Sequence, residues 1–309
     1  MKASHRVTHN TRARFRSAYV WAAVGFAVFI NFAQAEGETS IDSLIAKSSM
    51  NVVLSTNHVA EVKKFYGEVL GLQPMTPLHL PGGLEMTRFL VGTSEIKFLP
   101  PRGDVPRETG AIDAAIGIRM LGFYFPDVEK VTARFKEHGY PIPTFQSQVR
   151  TGRKNAFVSD PDGNMIQLIV PPAGADDEMF DKLDIGLTVS DTEASRKFYG
   201  QFLGLEELDP LEIPAHGIKR YSYQHGTTTI KLWTYGKDLP KQTGRWQDAY
   251  GIRYIQYIMS DLDAVDAHAK ATGADIHTPI FNLGAMARIM FIADPDGIIN
   301  EFVGGPKRD

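Results

Sequence analysis

The stretch Phe65-Tyr66-Gly67-Glu68-Val69-Leu70-Gly71-Leu72 returns 133 residues later as Phe198-Tyr199-Gly200-Gln201-Phe202-Leu203-Gly204-Leu205. Around it, Gly117-Ile118-Arg119 returns as Gly251-Ile252-Arg253, and Asp160-Pro161-Asp162-Gly163 returns as Asp294-Pro295-Asp296-Gly297, both 134 residues on. Self-similarity at an offset of 133 to 134 residues over such a span means two homologous halves. Between them, residues Pro171 to Glu178 have the proline, glycine and acid content of a linker.

Each half reads in turn as two similar units. Asn51 to Ser55 is a β-prone run, and Val59, Val62, Phe65, Tyr66, Val69 and Leu70 follow at helical spacing, with Gly71 placed to end the helix. The order restarts at Met120 to Phe125, with a helix through Val128, Val131 and Phe135 closed by Gly139. A strand at Asn155 to Ser159 then turns at Asp160-Pro161-Asp162-Gly163 into Met165 to Val170. In the second half Asp184 to Val189 leads into a helix with Ser190 and Glu193 at capping-box spacing, and Tyr254 to Met259 and Ile289 to Ile292 complete the pattern. The expectation is an α+β protein of four βαβββ units.

A strand, a helix carrying Phe-Tyr and ending Leu-Gly-Leu, and a later Asp-Pro-Asp-Gly hairpin, in that order and twice over, resemble the vicinal oxygen chelate (VOC) superfamily. That superfamily contains glyoxalase I, bleomycin-resistance proteins, fosfomycin-resistance enzymes and extradiol dioxygenases. The resemblance implies two tandem VOC domains, at 49–172 and 181–305, joined by a 173–180 linker. It also implies that the two units of each half curl into one ligand-binding cup.

In metal-dependent members of that superfamily, ligands come from the start of the first strand and the middle of the last strand of each unit. The motif spacing puts Asn51, Lys97, Met120 and Gln167 at these places in the first half, and Asp184, Lys231, Tyr254 and Glu301 in the second. Cations of this kind want carboxylate oxygen or imidazole nitrogen, and a lysine ammonium offers neither. The first cup has no good ligand. In the second, Lys231 would repel each unit of cation charge by about 4 kcal/mol at 4 Å and an effective dielectric near 20. The simpler arrangement has Lys231 in place of a metal, paired with Glu301 or Asp184. Extradiol chemistry lacks its two histidines, because Asp184 and Tyr254 stand at those positions.

Other residues carry weaker signals. His216 and His225 bracket the run Ile218 to Gln224, either near the mouth of the second cup or on a solvated surface. Tyr221, Tyr223, Trp233 and Tyr254 form either an aromatic wall for a planar ligand or plain strand core. Strand alternation puts Gln256 on the face of Tyr254 and Trp233 on the face of Lys231. Arg119 and Arg253 recur in both halves, which favours an ion pair tying two units of a half together. Thr109-Gly110 and Thr243-Gly244 read as loop geometry. No nucleophile elbow, phosphate-binding Gly-Lys-Ser/Thr loop or His-Glu-x-x-His helix is present.

Composition bounds the rest. The 309 residues contain no cysteine, which excludes disulfides and thiolate chemistry. Lys2, Arg6, Arg12, Arg14 and Arg16 precede an apolar stretch from Ala18 to Phe32 that ends in Ala33-Gln34-Ala35, the pattern of a secretory signal over 1–35, followed by a 36–48 linker. An uncleaved membrane anchor is the weaker alternative, so no stable membrane insertion is expected. Removing the signal takes five of 33 basic residues and none of 36 acidic ones, leaving 28 against 36 and a net charge of −8. Nucleic acid is a poor partner for such a surface.

The expected function is therefore that of an exported protein, periplasmic or extracellular. It would bind a small organic ligand in the cup of the second domain without a metal or other cofactor, in the mode of bleomycin-resistance proteins. Asp184, Lys231, Trp233, Tyr254, Gln256 and Glu301 are the expected ligand-binding residues. If the cup is catalytic, Lys231 is the electrostatic stabiliser and Glu301 the acid or base. Two alternatives stand. One is a metal-dependent lyase, isomerase or dioxygenase holding a divalent ion at Asp184 and Glu301. The other is a structural protein whose cups are filled by its own side chains.

Overall fold

The computed structural model describes residues 40–214, 217–235, 238–242 and 247–307. The proposed signal, His216 and the Thr243-Gly244 pair lie outside them. The first unit comprises β1 (Asn51–Ser55), α1 (Val59–Val62, continuing as a π-helix over Lys63–Val69), β2 (Gln73–Leu80), β3 (Leu84–Val91) and β4 (Ser94–Leu99). The second has β5 (Gly117–Tyr124), α2 (Val128–Glu137), β6 (Gln146–Ser147), β7 (Lys154–Ser159) and β8 (Met165–Val170). The third has β9 (Leu183–Thr188), α3 (Thr192–Arg196, π-helical over Lys197–Phe202), β10 (Glu206–Ile213), β11 (Ile218–His225) and β12 (Thr228–Trp233). The fourth has β13 (Gly251–Met259), α4 (Leu262–Thr272), β14 (Asp275–Leu283), β15 (Ala287–Ala293) and β16 (Ile299–Gly304). Four βαβββ units stand as the sequence implies.

Their pairing departs from expectation. One eight-stranded sheet has the order β14-β15-β16-β13-β1-β4-β3-β2, and the other β10-β11-β12-β9-β5-β8-β7-β6. Each bowl thus takes one unit from each half. The first unit joins the fourth through the antiparallel pair β1–β13, and the second joins the third through β5–β9. Within a unit the first strand lies parallel to the last, as in β1–β4 and β9–β12, so the intervening helix crosses over one face. That face is the core. Phe65, Tyr66, Phe135, Tyr199, Tyr223, Tyr257 and Phe302 belong to one continuous buried cluster shared by helices and both sheets.

The repeated motifs hold each other. In the first half Tyr66 Oη donates to Asp160 Oδ2 at 2.9 Å, and in the second Tyr199 Oη donates to Asp294 Oδ2 at 3.0 Å. The π-helical turn arises where Leu70 N donates to Phe65 O and Leu203 N to Phe198 O, a five-residue step. Gly71 (φ 76°) and Gly204 (φ 73°) then take the left-handed conformation that ends the helix. The other Asp160 oxygen, Oδ1, accepts from the backbone of Asp162 and Asn164, so one carboxylate both shapes the hairpin and receives the tyrosine. The helix cap differs from the expected one. Asp191 caps α3 by accepting from Glu193 N and Ala194 N, while Ser190 N donates to Asp296 Oδ2 at 2.7 Å.

Candidate functional site

Because the bowls cross the halves, the six expected site residues divide between them. Asp184 on β9 and Lys231 and Trp233 on β12 belong to the sheet of β5–β12. Tyr254 and Gln256 on β13 and Glu301 on β16 belong to the other sheet. A divalent ion shared by Asp184 and Glu301 is therefore not available to this fold. Two ligand positions also move by two residues. Gly122, not Met120, stands opposite Asp184, and Gln256, not Tyr254, stands opposite Asn51. The floors are thus Asn51, Lys97, Gln256 and Glu301 in one bowl and Gly122, Gln167, Asp184 and Lys231 in the other.

The bowl of β5–β12 has an ion pair at its floor. Lys231 Nζ contacts Asp184 Oδ2, and Tyr124 Oη donates to the same oxygen at 2.9 Å. Asp184 is 1% and Lys231 6% exposed. Burial pulls the Lys231 pKa down and Asp184 opposes it. Gly122 makes room for this pair, since a Cβ there would lie 2.9 Å from Asp184 Cβ. Above the floor a cavity of about 460 Å³ is lined by Lys231, Trp233, Gln167, Phe157, Arg153 and Arg220, among others. The Arg220 guanidinium lies 5.4 Å from the centre of the Trp233 ring, and that of Arg153 lies 5.6 Å from the centre of Tyr124.

The other bowl is more heavily filled. Asn51 Nδ2 and Lys97 Nζ both donate to Gln256 Oε1, at 2.8 and 2.6 Å, and Gln256 Nε2 donates in turn to Glu301 Oε2. Burial pushes Glu301 up to about 7, against the lowering effect of Gln256 and Lys97. Burial would also raise Glu95, but Lys97, Lys47 and Arg88 together hold it below its ordinary value. Val53, Met86, Leu99, Tyr254, Ala293 and Ile299 pack together on this sheet, with Leu78, Leu80 and Phe291 against them. Tyr254 is thus part of that bowl's own packing.

Several sequence candidates fall away from both bowls. Tyr223 is buried in the helix-side core and donates to Glu207 Oε2 at 2.6 Å, and Tyr221 packs against that core. Of the expected aromatic wall, Trp233 alone lines the β5–β12 cavity. His225 Nε2 is 2.7 Å from Lys47 O, tying β11 to the N-terminal segment. Arg119 donates to the Glu108 and Thr109 carbonyls, and Arg253 pairs with the Glu108 carboxylate at 2.6 Å. The recurring arginines are structural, but this ion pair joins the two halves rather than the units of one.

A metal finds a poor donor set on either floor. Each floor has one carboxylate, a lysine beside it and amide side chains, and no three histidine, aspartate or glutamate side chains converge among the described residues. Sequence reasoning missed Arg153, Arg220 and Gly122. Strand alternation could have found Arg220, which lies two residues from Ser222, the β11 partner of Lys231.

Against known proteins, the family model described as the glyoxalase/bleomycin resistance protein/dioxygenase superfamily matches residues 50–168 and again 183–302. The chain belongs to that superfamily. A comparison with curated proteins finds no match. Among solved structures it is similar to glyoxalase I from Zea mays, at 20% identity and a TM-score of 0.61, covering 83% of this chain and 92% of that one. A single-site mutant of the maize enzyme gives 22% and 0.63 over the same shares. A candidate dioxygenase from Bacillus subtilis gives 17% and 0.59, covering 83% of this chain and 84% of that one. At such identities these superfamily members show a common fold. No helix among the described residues is long and apolar enough to cross a membrane.

Proposed function

We propose that this superfamily member is an exported binding protein that takes a small organic ligand, without a metal, in the bowl of β5–β12. The observation that carries the reading is the buried Lys231–Asp184 pair beneath an open cavity of about 460 Å³. An ammonium group already satisfies the floor carboxylate, so no inorganic cation is needed there to balance it. The volume falls within the range of small-molecule pockets, and Trp233 and Phe157 supply apolar wall with Gln167 as an orienting polar group. The filled β1–β4/β13–β16 bowl serves as scaffold in this reading.

Two measurements test it. A thermal-shift screen of small organic molecules against the chain starting at Glu36 should find stabilising compounds whose effect disappears in Trp233→Ala. Elemental analysis of the purified protein should find no stoichiometric Mn, Fe, Ni or Zn. Metal at one equivalent, lost in Asp184→Asn, would replace this reading with a metal-dependent one. Export predicts Glu36 as the first residue of the secreted chain by mass spectrometry.

A further inference from the structure

Two arginines of the β5–β12 bowl stand out for what they lack. Arg153 and Arg220 both line the β5–β12 cavity, and among the described residues neither guanidinium has a carboxylate or carbonyl oxygen within bonding distance. Arg220 Nε is buried with no hydrogen-bond partner among them, and so is Trp233 Nε1 beside it. Burial pulls the Arg220 pKa down; the charge of Asp184, near but not hydrogen-bonded to it, opposes this, and Arg153 adds repulsion. The floor carboxylate, Asp184, is occupied by Lys231 and Tyr124. Arg88, Arg196, Arg253 and Arg288 each sit on a carboxylate, whereas Arg134, set over Phe125 away from this cavity, has an unpartnered Nε of its own.

The sign of the cavity also opposes that of the whole. From Glu36 onward the chain carries 28 basic against 36 acidic residues. Yet among the described residues Arg150, Arg153, Arg220 and Lys231 line this cavity against a single lining carboxylate, that of the exposed Glu212. A buried guanidinium without an anion costs stability. Arg153 and Arg220 are half-buried, with Arg220 Nε fully enclosed, and in this open, tryptophan-walled cavity neither has an oxygen acceptor within bonding distance among the described residues. Guanidinium forks match carboxylate and phosphate oxygens in pairs of hydrogen bonds.

Resting on the binding reading above, we infer that the ligand is an organic oxyanion, a carboxylate or phosphate ester, whose charged group sits between Arg153 and Arg220 and whose flat body lies against Trp233. Lys231 supplies background positive charge while staying committed to Asp184. The bowl therefore selects for negative charge as well as for shape.

Isothermal titration with phenyl phosphate, benzoate, inorganic phosphate and the uncharged benzyl alcohol tests this. The two aromatic anions should bind at least tenfold more tightly than benzyl alcohol, and more weakly at 300 mM than at 50 mM NaCl. Inorganic phosphate alone should bind more weakly than phenyl phosphate. Arg220→Met and Arg153→Met should each cut phenyl phosphate affinity at least tenfold, whereas Arg220→Lys should retain part of it. A second readout separates a ligand-gripping arginine from a structural one. Arg220→Met should raise the melting temperature of the ligand-free protein, because it removes a half-buried charge whose Nε has no hydrogen-bond partner. Equal binding of benzyl alcohol and the anions, or salt-independent binding, overturns the anion inference and leaves the binding reading in place. A lowered melting temperature in Arg220→Met with unchanged anion affinity also overturns it. If neither anions nor neutral compounds bind, both readings fall.

Discussion

Replacing Glu301 by glutamine should change how the stability of the protein depends on pH. Glu301 is 4% exposed, and burial pushes its carboxyl from the ordinary 4.5 up to about 7, against the pull of Gln256 and Lys97. The folded state thus holds this proton more tightly than the unfolded chain does. Its stabilising contribution is complete below pH 4.5 and is lost as the pH rises through 7. At about 1.4 kcal/mol per pH unit, that interval amounts to ~3 kcal/mol. Glutamine keeps the shape and still accepts from Gln256 Nε2, but it cannot ionise. Urea unfolding at pH 4.5, 6, 7 and 8.5 should therefore show Glu301→Gln matching the wild type at the acid end and exceeding it by ~3 kcal/mol at the alkaline end. Asp160, raised to about 6, and Asp294, raised to about 7, slope the same way in both proteins and cancel in the difference. Lys97→Met should steepen the wild-type dependence, because the ammonium favours the ionised form. A constant offset between the two curves at all pH values would refute the assignment of a buried, proton-holding Glu301.

Three further outcomes follow from the geometry. Lys231→Met leaves the Asp184 carboxylate buried without its cation and should cost about 3–5 kcal/mol in chemical denaturation, most of it restored by adding Asp184→Asn. Gly122→Ala drives a methyl to 2.9 Å from Asp184 Cβ, so a loss of about 1–3 kcal/mol is expected in the same assay. Tyr199→Phe removes the bond to Asp294 and should cost about 1–2 kcal/mol, with the larger loss above pH 7, because that hydrogen bond favours the ionised carboxylate.

Much of the fold was legible in the sequence because it is written locally and twice. Asn51–Ser55 and Met165–Val170 are strands with the bounds their residues suggest, and Gly71, Gly139 and Gly204 end helices with positive φ. The bond from Tyr66 to Asp160 was not legible, since the two motifs lie 94 residues apart and each makes sense alone as helix core or turn. Which units share a bowl was also hidden. The first strands β1, β5, β9 and β13 are all buried, and any antiparallel pair of them satisfies the same pattern. Met120 and Tyr254 lie on the correct face but two residues short of the floor positions Gly122 and Gln256. One-residue bulges at Arg119 on β5 and Arg253 on β13 displace the register by one between the Gly-Ile-Arg motif and the floor, which accounts for part of the two-residue offset. Lys231 and Asp184 were legible as partners because their chemistry leaves few alternatives. Arg220 was overlooked because an arginine beside Lys219 on a strand reads as solvated surface.

The interlocking of the halves makes the molecule indivisible along its own repeat. A fragment cut within 173–180 would hold β1–β4 and β5–β8 as two incomplete sheets, with β1 and β5 left as bare central edges where β13 and β9 should lie. Such fragments would be mutual templates, able to rebuild the whole when expressed together, and two intact chains could trade halves across the same seams. The repeat that marks two domains along the chain is thus not the partition along which the protein could be taken apart.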